Sequence, residues 1–388
     1  MLRIEGGICA VPGVRTAGAR QGKYGLALIA ASGAAAGMFT TNKVRAAPLD
    51  VTAEHLSTFG HLNGIIANSG CANAYTGLRG KEDAQAMARL LADFLETNEK
   101  TIAVASTGVI GRYMDMPVIS RLFEDAKKRL RSNAEASKEA ARAIMTTDTR
   151  IKEMAVEHQG FRVAGIVKGA GMIEPNVATM LCFLYTDADL PAKILHECLA
   201  YAVRDSFNML TVDGDTSTND TVLLTATARV TANVEDFREA LRYVCMELAR
   251  MMAKDGEGAS KYFETVVSGA RNDKDARLAA KAVARSSLVK TAVYGADPNW
   301  GRIICAVGYS GAEMDPAKIT LGLEGRGLNI SLVEKGRIVD GVLDQAKEIM
   351  SGDAIIINID LGLGIAQARG FGCDLTHEYV NVNANYTT

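Results

Sequence analysis

The chain has 388 residues, 48% of them hydrophobic and 23% charged, with a formal net charge of −2. Such a composition excludes a disordered or fibrous protein and predicts one large folded domain or two to three smaller ones. Balanced charge leaves no field to draw the chain to nucleic acid or to an anionic membrane, so its expected partners are small molecules.

The opening, MLRIEGGICAVPGV, has no basic segment leading into an apolar run, which predicts no secretory leader. No stretch reaches eighteen uninterrupted apolar residues, which predicts no membrane span. Short apolar runs rich in β-branched residues and bounded by Gly or Asn then recur: GLALIAA, NGIIANS, KTIAVAS, VAGIVKG, TMLCFLY, TVLLTATARV, IICAVGY and AIIINIDL. Each reads as a strand. Between them, Met87, Leu90, Leu91 and Phe94, and later Phe237, Leu241, Val244, Leu248 and Met251, form helical stripes. Asp83, Asp115, Asp189 and Asp340 are candidate signals for helix N-termini. The class is α/β, with stacked sheets flanked by helices, because these strands are too apolar to leave a face wet.

Familiar site motifs fail. GLRGKED lacks the spacing and the hydroxyl of a phosphate-binding loop, and GLGIAQARGFG misplaces its glycines for a dinucleotide fingerprint. DGDTSTND opens like a calcium loop, but Thr218 and Leu224 stand where Gly and a bidentate Glu are needed. The five histidines show no metal spacing and no G-x-S-x-G elbow is present. Seven cysteines make no C-x-x-C pair, the pattern of reduced, mostly buried thiols in a cytosolic protein. Any nucleophile must therefore be activated without a histidine triad.

One segment offers that chemistry. Lys168-Gly-Ala-Gly-Met-Ile-Glu-Pro-Asn-Val-Ala-Thr179 leaves one apolar run, passes two glycines and Pro175, and enters the next run at Thr179. A hydroxyl at a strand mouth after a kinked loop can attack its own preceding carbonyl, here that of Ala178. The resulting ester hydrolyses and frees the Thr179 amine. An α-amine has a pKa of about 7.7–8.0 and can serve as the base for its own hydroxyl. The residues alone leave another reading open, in which Gly169 and Gly171 make a turn and Thr179 only starts a strand.

The same segment, VKGAGMIEPNVATML, closely resembles the self-cleavage segment of the ornithine acetyltransferase family, also called arginine biosynthesis bifunctional protein (glutamate N-acetyltransferase). Further blocks follow in order: AAGMFTTNKVRAAPL, IIANSGCANAYTG at 65–77, ASTGVIG at 105–111, IMTTDT at 144–149, DGEGASK at 255–261, SLVKTAVYGADPNWGRI at 287–303 and YVNVNANYTT at the C-terminus. Cys71 stands where the family more often has Asn, and Ser260 where it has Thr.

The resemblance implies self-cleavage between Ala178 and Thr179 into chains 1–178 and 179–388, intertwined in an α-β-β-α fold like that of N-terminal-nucleophile enzymes. It makes Thr179 the nucleophile and Thr107 with Gly108 the oxyanion hole. Thr146 (Thr147 in the other register), Lys168, Thr179, Glu257, Asn383 and Thr388 become substrate contacts. The implied reaction moves acetyl from N2-acetylornithine to glutamate through an acetyl-threonine ester. It uses no metal or bound cofactor, with acetyl-CoA as a donor in some members. The implied assembly is a cytoplasmic α2β2 heterotetramer. A self-processing hydrolase or aminopeptidase of related fold is the competing reading, as is an uncut binding module in which Thr179 is inert.

Overall fold

The computed structural model describes residues 1–174 and 180–385. In chain order its strands are β1 (Leu2–Arg3), β2 (Arg15–Gln21), β3 (Tyr24–Phe39), β4 (His61–Cys71), β5 (Ile102–Val109), β6 (Lys152–His158), β7 (Phe161–Lys168), β8 (Leu181–Ala188), β9 (Leu210–Thr211), β10 (Thr221–Val230), β11 (Tyr262–Ala270), β12 (Thr320–Gly325), β13 (Leu328–Glu334), β14 (Arg337–Ile338), β15 (Ala354–Asp360) and β16 (Ala366–Cys373). The helices used below are α1 (Ala47–Phe59), α2 (Gly77–Leu95), α3 (Met116–Lys127), α4 (Ala134–Ile144), α5 (Ala192–Asp205), α6 (Val234–Lys254), α7 (Asp273–Arg285), α8 (Ser287–Tyr294), α9 (Trp300–Gly308), α10 (Leu343–Met350) and α11 (His377–Asn385).

Two compact units result, one from Met1–Asn208 with Asp215–Met252, the other from Met209–Gly214 with the chain from Ala253 onward. The first holds a nine-stranded sheet in the order β1-β6-β7-β8-β10-β3-β4-β5, with β2 also on β3. The second holds a seven-stranded sheet in the order β14-β13-β12-β15-β11-β16-β9. The expected α/β class holds, with sheets flanked by helices.

In the first unit, one sheet face from β3, β4 and β5 and from β7, β8 and β10 meets α4 in a single apolar cluster that includes Ile29, Ile65, Ala105, Ile166, Phe183 and Leu223. On the other face, Leu26, Leu28, Ile66 and Val104 pack against α2 and α3 through Met87, Leu91, Ile119 and Phe123. Helix α4 fits between layers because it is nearly all small on its buried side, with Ala136, Ser137, Ala140, Ala141 and Ala143 facing in. It starts at Asn133, whose side chain accepts from the Ala136 N–H. Two strand glycines let its backbone come close. A Cβ on Gly18 would lie 2.0 Å from the Glu139 carbonyl oxygen, and one on Gly25 would lie 2.1 Å from that of Ala143.

Sequence order in the sheet is interleaved. β7, from before residue 174, pairs antiparallel with β8, from after residue 180; β8 pairs parallel with β10; and β10 pairs antiparallel with β3. The two pieces expected from a cut at 178–179 would thus alternate within one ladder.

Seven of the eight expected strand runs coincide with strands. The exception is IICAVGY, which lies in helix α9. Its buried residues Ile303, Ala306 and Val307 fall at i, i+3 and i+4, so a run this short satisfied either period. The stripe of α6 holds at Phe237, Leu241, Val244 and Leu248, all fully buried. That of α2 needs correction. Its inner face is Ala84, Met87, Ala88, Leu91 and Ala92, and Phe94 is 39% exposed, edge-on to Phe123. Of the four aspartates, Asp115 caps α3 by accepting from the Val118 N–H. Asp83 lies inside α2, and Asp189 and Asp340 precede helices whose N-caps are Pro191 and Val342.

Replacing Gly18 with Ala should force backbone apart at the α4 contact. We expect a loss of about 1–3 kcal/mol, the usual cost of overpacking a tight core, read as a lowered denaturation midpoint. An unchanged midpoint would show that α4 sits less tightly than described.

Candidate active site

Strands β4 and β5 run parallel, with Ser69 opposite Thr107 and Gly70 opposite Gly108. Thr107 and Gly108 are half-buried near the end of β5. Gly108 has φ 130, and a Cβ there would lie 2.4 Å from the Gly70 carbonyl carbon and 2.6 Å from the Cys71 nitrogen. Only glycine fits that approach. Ser106, one residue earlier, donates to Asn68 Oδ1 at 2.6 Å, and Asn68 Nδ2 donates to the Cys71 carbonyl at 2.9 Å. Asn219 Nδ2 bridges the Ala72 and Ser106 carbonyls at 2.5 and 2.8 Å. These contacts fix the backbone on both sides of Thr107.

Lys168, at the end of β7, is buried to 7% exposure, and its Nζ donates to Thr107 Oγ1 at 3.3 Å. Between β7 and β5 the sheet order counts five strand-to-strand steps. At about 4.8 Å per step a flat sheet would hold them some 24 Å apart, beyond the reach of a lysine. The sheet therefore folds over its apolar face and brings its two flanks together here.

Asp148 lies beneath Lys168. Its Oδ1 accepts from Lys152 Nζ and from the Gly169 N–H, each at 2.6 Å, and its Oδ2 accepts from the Thr146 N–H at 3.1 Å. Lys152 is only 1% exposed. Burial pushes the Asp148 carboxyl up, but the Lys168 and Lys152 ammonium groups, the Lys152 Nζ hydrogen bond and the Gly169 amide outweigh it, leaving a pKa of about 2. Asp220, at the entrance to β10, has the opposite fate. Burial drives its carboxyl well above the ordinary range despite contacts with Ser217, the Met180 N–H, Lys168 and Thr40.

The segment rejected as a calcium loop has a different use. Glu174 N–H donates to the Asp215 carbonyl at 2.9 Å, Ile173 bridges to Thr216, and Thr216 Oγ1 donates to the Glu174 carbonyl at 2.9 Å. Beyond, the Thr221 N–H donates to the Met180 carbonyl at 2.9 Å. Residues 215–221 thus anchor both flanks of the candidate cleavage segment.

Thr107, Gly108, Thr146 and Lys168 belong to this one site in the first unit. Ala178, Thr179 and Thr388 lie outside the described residues. Glu257 and Asn383 are in the second unit, where Asn383 Nδ2 donates to Glu257 Oε2 at 2.8 Å. Both departures from the family pattern make hydrogen bonds. Cys71 Sγ donates to the Arg112 carbonyl at 3.4 Å, and Ser260 gives both N–H and hydroxyl to the Asp374 carboxylate. Sequence reasoning missed Asp148, Lys152, Asn68 and Asn219. Asp148 could have been found inside IMTTDT, as the one ionisable residue of that block.

Asp148 gives a signed pH prediction. Its folded pKa of about 2 lies below the ordinary 3.8, so its contribution is present above about pH 4 and is lost as pH falls toward 2. The difference is on the order of 2 kcal/mol. Asp148→Asn should cost roughly 3–5 kcal/mol at pH 7, since two buried ammonium groups lose their carboxylate. Urea titrations at pH 7 and pH 3 should show the variant losing less on acidification than the unaltered protein. Equal losses would refute the assignment.

The sequence matches the ArgJ family over residues 12–388. It is 51% identical over 395 residues, covering 100% of both chains, to the glutamate N-acetyltransferase of Methanosarcina mazei. It is 47% identical to the arginine biosynthesis bifunctional protein ArgJ of Archaeoglobus fulgidus, covering 97% of this chain and 99% of that one. Among solved structures, the arginine biosynthesis bifunctional protein argJ of Bacillus halodurans is 39% identical, covers 52% of this chain and 96% of that one, and has a TM-score of 0.49. With the match running through the Thr107 turn, the Lys168 strand end and the segment beyond it alike, the chain belongs to the ArgJ family.

Proposed function

We propose that this chain is a glutamate N-acetyltransferase that moves acetyl from N2-acetylornithine to glutamate in arginine biosynthesis. The observation that carries the reading is the full-length 51% identity to a relative named for that activity. The hydrolase alternative has no such support.

The chemistry runs in two halves. In maturation, Thr179 Oγ attacks the Ala178 carbonyl, the peptide becomes an ester, and water hydrolyses it to free the Ala178 carboxylate and the Thr179 amine. In turnover, Thr179 Oγ attacks the acetyl carbonyl and its own amine takes the hydroxyl proton. That proton leaves with the ornithine amine, and an acetyl-threonine ester remains. The glutamate amine then attacks the ester, giving N-acetylglutamate and restoring the hydroxyl. Thr107 Oγ1 and the Gly108 N–H receive the developing oxyanion, a contribution worth a few kcal/mol per donor. The family resemblance assigns Thr146, Glu257, Asn383 and Thr388 to the amino-acid parts of the substrates. No step calls for a metal or bound cofactor.

The two pieces, 1–178 and 179–388, would stay joined because the nine-stranded sheet of the first unit alternates between them. We infer a cytoplasmic α2β2 heterotetramer as the working assembly. No helix among the described residues is long and apolar enough to cross a membrane.

Purified protein should run as two fragments of 178 and 210 residues, the second beginning Thr-Met-Leu-Cys, and Thr179→Ala should remain one band. Ornithine release from acetylornithine should depend on added glutamate. Release that is equal without glutamate would establish a hydrolase, and an uncut, inactive chain would exclude both enzymes. Replacing acetylornithine with acetyl-CoA in the same assay decides whether the protein is bifunctional. Thr107→Val, which keeps the shape and removes the donor, should lower kcat about 10²–10³-fold.

A further inference from the structure

We infer that Lys168 works through Thr107, as a positioning residue that turns and polarises the Thr107 hydroxyl, rather than by holding a substrate carboxylate. The inference rests on the acetyltransferase reading above and assigns Lys168 a different part in it.

A lysine ammonium has three donors and no acceptor. In the 3.3 Å contact, Lys168 Nζ must donate and Thr107 Oγ1 must accept. The hydroxyl proton cannot then lie along that line and must point away from Lys168. Without Lys168, the rotor would be free to present either its proton or a lone pair to the reaction centre. With Lys168 in place, an oxyanion meets a donor. A positive charge on the accepting side also draws electron density from the oxygen and strengthens the bond its proton makes. The effect grows as charge develops in the tetrahedral intermediate, so it acts on kcat.

Lys168 is held for this purpose. It is 7% exposed, at the end of β7, and the next residue's N–H is bound by Asp148. The Asp148 carboxylate lies close enough to attract the Lys168 ammonium while also binding Lys152. A lysine collecting substrate carboxylates would be expected to lose its role when acetylornithine or glutamate is replaced by an amide. A lysine polarising Thr107 would not.

The test is a double-substitution cycle on full-length protein: Lys168→Met, Thr107→Val and the pair. Lys168→Met keeps the chain length and removes the charge. We expect kcat for acetyl transfer to fall roughly ten- to a hundredfold in Lys168→Met with KM for acetylornithine and glutamate little changed. The pair should be no slower than Thr107→Val alone, because the lysine acts only through that hydroxyl. Lys168→Arg should recover part of the loss. The same cycle on the rate of chain cleavage, followed by gel, supplies a second readout for variants that mature slowly. Circular dichroism on each variant identifies any that has not folded, and the cleavage and transfer rates of the folded ones are compared. Multiplicative losses in the pair, or a rise in KM with kcat preserved, would overturn the inference. If the unaltered protein transfers no acetyl group to glutamate, the acetyltransferase reading itself has failed, which the wild-type assay shows before any variant is made.

Discussion

The folding of the nine-stranded sheet over its own apolar face is the constraint from which the site follows. Neither flank carries the site alone. β5 supplies Thr107 and Gly108, and β7 supplies Lys168, five strands away along the ladder. What closes that distance is the apolar cluster in which Ile65 and Ala105 from one flank meet Ile166 and Phe183 from the other. Burial of such residues is favourable by about 25 cal/mol per Å², which makes closure robust and the lysine–threonine contact a consequence of it. Ions are admitted only under strict terms. Two buried lysines would each cost several kcal/mol to desolvate, and Asp148 offsets this by facing both while accepting backbone N–H groups.

The same interleaving explains how a self-cleaved chain can stay whole. The segment 175–179 separates two strands that are hydrogen-bonded neighbours, with Lys168 opposite Leu181 and Val167 opposite Cys182. On the far side, β10 locks β8 to β3. A break between these strands would remove one covalent link and leave every ladder bond in place. Both flanks of the segment are also fastened to residues 215–221. The described residues on either side of such a break, Glu174 and Met180, would keep these fastenings.

Much of this was legible in the sequence, and the misses share causes. Long apolar runs such as TVLLTATARV announced strands because β-branching and length agreed. IICAVGY did not announce its helix, since seven residues fit both periods and only the neighbouring Asn299 and Trp300 mark a start. Helix α4 escaped notice because its inward face is alanine, which no hydrophobic stripe flags, and its smallness is what the Gly18 and Gly25 approaches require. Thr107, Gly108 and Lys168 were singled out through their motifs, but the contact between Lys168 and Thr107 was invisible, because it depends on sheet order. Asp148 was hidden for a related reason. A carboxylate in a polar turn looks solvated until a strand end and a second lysine are laid over it.

These environments bear on the choice of base. Catalysis by a hydroxyl requires a proton acceptor with a pKa near neutrality. Asp148 is too acidic, being held near 2 by its lysines. Asp220 is pushed the other way, its carboxyl raised well above the ordinary range by burial. His55 is buried against the Ile102 carbonyl at 2.8 Å, and His61 is engaged with Ser32 and Asn63, so both imidazoles serve the fold. Lys168 as an ammonium donates and does not accept. The ammonium of Lys168 and the acidic Asp148 beneath it are thus suited to hold an oxyanion and unsuited to take the proton. An α-amine freed beside the hydroxyl has the missing pKa, and self-cleavage at Thr179 is the step that would create it.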